Sequence, residues 1–96
     1  MILHILTKAP KSTASIQMQQ AVGEQDAVLL IEEGVSAALD PTWAAWQQFQ
    51  SRIYLLSEDL AARGLCHIAI DNVLPTLEME GFVALTEQYD KTVTWY

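Results

Sequence analysis

This 96-residue chain has one cysteine, five cations, three prolines and no long apolar run. Each scarcity excludes something. A lone Cys66 rules out an internal disulfide and fits a reducing, cytoplasmic setting. The cations Lys8, Lys11, Arg52, Arg63 and Lys91 form no run and face 12 acids, for a net charge of −7. Such a chain lacks the positive charge that displaces counterions, so no direct grip on nucleic acid is expected. No stretch approaches the ~20 apolar residues of a membrane span. The opening "MILHILTKAPKS" is too short in its apolar part, and too poor in basic residues, for a signal peptide. There is no G-x-G-x-x-G, no P-loop, no Ser-His-Asp set and no His/Cys spacing that holds a metal, so no cofactor is specified.

What the chain does have is apolar surface. Its hydrophobic fraction is 51% and its mean hydropathy +0.16. A core of this size is thin. The excess predicts contact with another subunit, and self-association when the chain is alone.

The elements alternate. "ILHIL" (residues 2–6) reads as a buried strand. "TKAPKSTAS" is a loop and helix start, and Ala14, Met18, Ala21 and Val22 keep helical spacing up to Gly23 at C′. "AVLLI" (27–31) lacks alternation, as does a strand covered on both faces. "VSAAL" makes a short helical turn, and "DPTWAAWQQFQ" predicts a helix with Asp40 as N-cap and Pro41 first inside. "RIYLL" (52–56) is a third strand. Ser57 caps a helix with Glu58 and Asp59 in its first turn and Arg63–Gly64 at its end. "LCHIAID" reads as a strand by pattern, in competition with "NVLPTL", where Pro75 restricts pairing. "LEMEGFVALTEQYD" is helical and "TVTWY" a last strand. The sum is one α/β domain, residues 1–96, built on a parallel sheet.

Few residues are candidates for chemistry. Cys66 follows a helix C-terminus and has no cation beside it except Arg63, so the expectation is a small, inert, buried residue. As sulfur carrier it is the alternative. On a strand, His67 would point to the opposite face. His4 reads as a strand residue near a sheet end. Glu32/Glu33, Glu58/Asp59 and Glu78/Glu80 read as solvated surface. Trp43, Trp46 and Phe49 share a helix face that suits core or interface equally.

Four stretches in order resemble the DsrH/TusB family: "MILHILTKAP", "AVLLIEEGVSAAL", "YLLSEDLAARGL" and "GFVALTEQYDKTVTW". The resemblance implies a flavodoxin-like domain with a five-stranded parallel sheet flanked by helices. It places the fourth strand near residues 73–77 and leaves 65–72 as a loop. It further implies a heterohexamer with TusC/TusD-like or DsrE/DsrF-like sister subunits. Such complexes pass persulfide sulfur towards 2-thiouridine at the tRNA wobble position, or serve intracellular sulfur oxidation. Sulfur-oxidising members carry a cysteine in the first helix, where this chain has Met18. The resemblance therefore implies a non-catalytic subunit, with the active cysteine on a sister chain.

Overall fold

The computed structural model describes all residues, Met1–Tyr96. Five strands, β1 (Ile2–Leu6), β2 (Ala27–Leu30), β3 (Ile53–Leu56), β4 (Thr76–Leu77) and β5 (Lys91–Trp95), pair in parallel in the order β4-β3-β2-β1-β5. Between them lie α1 (Thr13–Ala21), a 3-10 helix (Glu32–Leu39), α2 (Ala45–Gln48), α3 (Ser57–Ala62), α4 (Cys66–Asp71) and α5 (Met79–Gln88). This is the flavodoxin-like α/β class with a five-stranded parallel sheet. In flavodoxin itself the chain reverses direction after its second strand; here it reverses only after the fourth.

That order fixes which helices share a face. Right-handed crossovers that step the same way, β1 to β2 to β3 to β4, place their helices on one side of the sheet. The return from β4 to the far side of β1 runs the other way and puts α5 on the opposite face. The core divides accordingly. Leu6, Val28, Leu30, Ile53 and Leu55 pack with Met18, Val35, Leu60 and Leu65 in one cluster. The alternate strand residues Leu3, Ile5, Ala27 and Leu29 pack with Leu85 of α5 in the other. Each fully buried leucine of these sets contributes roughly 1.5–3 kcal/mol.

Several expectations are corrected. The helix expected from Asp40 and Pro41 shrinks to Ala45–Gln48, with Ala44 at its N-cap. Asp40 instead closes the 3-10 helix. Its carboxylate accepts from the Thr42 hydroxyl at 2.9 Å, and its carbonyl accepts from the Trp43 backbone N–H and the Trp46 indole. Tertiary placement of the two indoles overrides the cap signal. Ser57 is the first residue of α3, whose N-cap is Leu56. The segment 65–72, read as strand by pattern and as loop by resemblance, is the helix α4. The fourth strand does fall within 73–77, as Thr76–Leu77. Pro75 takes part through its carbonyl, which accepts from Leu55 N–H at 3.0 Å. A proline with no N–H to give is tolerated because β4 is an edge.

Helices α3 and α4 end in the same way. After α3, Gly64 N–H donates to the Ala61 carbonyl and Leu65 N–H to that of Leu60. After α4, Val73 N–H donates to Ile70 and Leu74 N–H to Ala69. Both are Schellman closures, with the left-handed residue at C′. Gly64 takes it at φ 68°, but at the second closure a valine stands there at φ 54°. A β-branched residue in that region is strained by ~1–2 kcal/mol.

Candidate functional site

In open parallel sheets, ligands bind beyond the carboxyl ends of the strands. Here that end is acidic. Glu32 and Glu33 follow β2, Glu58 and Asp59 follow β3, and Glu78 and Glu80 follow β4. Two of these acids hold backbone. Asp59 Oδ2 accepts from Glu32 N–H at 2.6 Å, where Glu32 has φ 51°. Glu58 Oε1 accepts from Met79 N–H, the first of α5, at 3.0 Å. Together they tie the exits of β2 and β4 to α3. The reading of these acids as plain solvated surface thus misses an anchoring role.

The arrangement that most resembles a catalytic set lies at the other end. His4 is a strand residue as expected, 2% exposed and in the middle of β1. Its Nδ1 accepts from the Trp95 indole N–H at 3.1 Å, and its Nε2 is 2.9 Å from Asp26 Oδ2. An indole nitrogen only donates. His4 is therefore the Nε2–H tautomer, donating to the carboxylate. Asp26 also accepts from Ile2 N–H at 2.8 Å and Gly23 N–H at 2.9 Å. Burial opposes the charge on Asp26, but the bonds from Gly23, His4 and Ile2 and the nearness of His4 outweigh it, and its pKa falls from 3.8 to about 2. Arg52 donates to the carbonyls of Gly23 and Asp26, both at 2.7 Å. The network joins β1, β5 and the entries to β2 and β3. The bonds of Asp26 and Arg52 close the amino-terminal end of the sheet, and Trp95, the last residue of β5, reaches His4 from the carboxyl end.

Trp43 is buried and belongs to the larger core cluster, with Trp46 half-buried against it. Their rings meet edge to face, with centroids 5.6 Å apart. The structure assigns Trp43 and Phe49 to core. The Trp43 indole nitrogen is buried without an acceptor. Met18 is fully buried beneath α1. No three His, Cys, Asp or Glu side chains gather to hold a metal ion.

Cys66 departs from expectation. It is exposed, which corrects the buried packing role. It begins α4 as well as following α3. It lines a groove of about 380 Å³ with Leu60, Ala69, Ile70, Val73 and Leu74. The sequence pattern missed this groove because α4 itself was missed. As the chain's only thiol, Cys66 should titrate with an aromatic disulfide reagent in the native protein, one equivalent per chain and without denaturant. A thiol that reacts only after unfolding would contradict its placement.

Residues 8–92 match the model of the DsrH family, described as DsrH like protein. The chain is 30% identical over 96 residues to the Protein TusB of Shigella flexneri, covering 98% of this chain and all of that one. The same identity and coverage hold for the Protein TusB of Escherichia coli O1:K1. No helix is long and apolar enough to cross a membrane. With a family model spanning most of its length and relatives matched end to end, the chain belongs to the DsrH/TusB family.

Proposed function

We propose that this chain is a non-catalytic, single-domain subunit of a TusBCD-type sulfur-relay complex in the cytoplasm, supporting 2-thiolation of the tRNA wobble uridine. The observation that carries the reading is the end-to-end similarity to TusB proteins. The side-chain chemistry agrees with it. The first helix offers Met18, whose thioether forms no persulfide, and the one buried His–Asp pair is spent on holding strands together. The sulfur-carrying cysteine then belongs to a TusC- or TusD-like partner, and this subunit supplies surface.

The test is the 2-thiouridine content of tRNA, measured by nucleoside mass spectrometry with and without the gene. Loss on deletion, restored equally by wild type and by Cys66→Ser, is the expected result. Unchanged thiolation would overturn the reading and favour a DsrEFH-type role in sulfur oxidation.

One observation favours a second reading, a sulfurtransferase using Cys66: the thiol is exposed and lines an apolar groove. That reading requires a mass increase of one sulfur atom on Cys66 after incubation with a persulfide donor, and failure of Cys66→Ser to restore thiolation.

A further inference from the structure

The groove beside Cys66 is an unusual piece of surface. Ile70 and Val73 are 75% and 87% exposed, the two most exposed large aliphatic side chains of the chain. Val73 stands in the left-handed region at φ 54°, in a helix closure whose counterpart after α3 uses Gly64. Glycine takes that conformation without strain, and the exposed valine side chain adds little to the core. Strain of this kind at an exposed apolar residue points to a use outside the fold. Asp71 ends α4 beside this surface. The groove adjoins, through Ser57, a second hollow lined by Glu58, Glu78 and Glu80. Arg63 is the single cation among residues 53–90.

We infer that this groove docks a protein surface of opposite character, an apolar side chain ringed by lysines and arginines, and that a different chain presents it. The inference rests on the reading of this protein as a subunit of a hetero-oligomer. A second copy is disfavoured because a two-fold contact sets the same acidic rim against itself, between chains of net charge −7. Nucleic acid and anionic lipid are repelled by the same rim. An apolar centre with a charged border is the usual anatomy of a specific protein contact, the border setting partner choice and salt dependence.

The experiment compares wild type, Val73→Gly, the pair Glu78→Lys with Glu80→Lys, and Val83→Glu, which lies on the exposed side of α5 away from the groove. Each is purified alone and after co-expression with TusC- and TusD-like subunits. In the wild-type complex, Cys66 should be alkylated by iodoacetamide at least about tenfold more slowly than in the free chain, read by peptide mass. Val73→Gly should raise the unfolding midpoint of the free chain by about 5 °C yet weaken assembly about tenfold or more. The charge reversal should also weaken assembly, and Val83→Glu should leave it unchanged. A stabilised Val73→Gly chain that assembles fully, with Cys66 as reactive as in the free chain, overturns the docking site and leaves the subunit reading standing. Failure of wild type to assemble with either subunit overturns both. Protection of Cys66 that depends on the concentration of the free chain makes the occupant a second copy and overturns the assignment of a different chain.

Discussion

Gly34→Ala is expected to lower the thermal midpoint by roughly 10–20 °C, or to leave the chain unfolded. A Cβ built on Gly34 falls 2.4 Å from the Leu6 carbonyl oxygen and 3.3 Å from its carbon. Both are backbone atoms, so no rotamer change relieves the overlap. That oxygen is also held, accepting from Ile31 N–H at 3.0 Å. The Gly34 N–H in turn donates to the Ile31 carbonyl at 2.8 Å. Moving either partner disturbs the carboxyl ends of β1 and β2 together, at the centre of the sheet. The cost of overpacking so rigid a site is about 3 kcal/mol. Gly81→Ala is the control. The atoms nearest its Cβ belong to the Leu77 side chain, Cδ2 at 3.2 Å, and it lies inside α5. Helix propensity gains ~1 kcal/mol there and offsets a small packing adjustment. Calorimetry of the two variants should separate them clearly. Equal loss in both would mean that the Gly34 approach is not a fixed contact.

The contrast between two helix ends explains how much could be read from residues alone. In "LAARGL" the glycine announces the closure of α3, and the acids at Glu58 and Asp59 announce its start. In "AIDNVL" the same backbone closure is made by a valine, and Cys66 at the start carries no capping side chain. With both punctuation marks missing, "LCHIAID" shows only an apolar run, and short apolar runs do not distinguish strand from helix. The strands fared better because a parallel sheet covered on both faces needs continuous apolar residues, as in "AVLL". The region of Asp40 and Pro41 failed for another reason. Its signals for a helix start are real, but burial of Trp43 against the sheet took precedence. The groove at Cys66 depends on α4, so it was hidden with it. The His4–Asp26–Trp95 network was hidden because its members are 22 and 91 residues apart from His4 along the chain.

The two ends of the sheet therefore do different work. From the amino end, Asp26 binds His4, and His4 in turn takes the Trp95 indole from the far end of β5, which fixes the relative positions of β1, β2 and β5. At the carboxyl end, acids and apolar side chains remain open around α3, α4 and β4. The proposed role as a subunit that acts by contact would call on both properties, since a docking surface is only as well defined as the frame that holds it.

The frame is tested most severely at Asp26. Asp26→Ala is expected to cost about 3 kcal/mol, because it leaves the buried His4 N–H and the part-buried N–H groups of Ile2 and Gly23 without their shared acceptor. Most of that is the penalty of the unpaired His4 donor, which is 2% exposed. Asp26→Asn separates shape from charge, since it keeps the outline and removes the titration. The sign of the pH dependence follows from the lowered pKa. The folded value is about 2 against an ordinary 3.8, so the unfolded chain takes up the proton first as pH falls. The stabilisation is complete above the unfolded value and is lost as pH drops through about 2. A shift of this size corresponds to on the order of 2 kcal/mol. Denaturant titrations of wild type and Asp26→Asn between about pH 6 and pH 2 should show the wild-type advantage shrinking by that amount towards the acid end. Trp95→Phe should leave this dependence in place, because the indole bonds to His4 and not to the carboxylate. A wild-type advantage that stays constant down to pH 2 would mean that Asp26 holds the sheet by shape alone, and its carboxylate charge would have no part in the network.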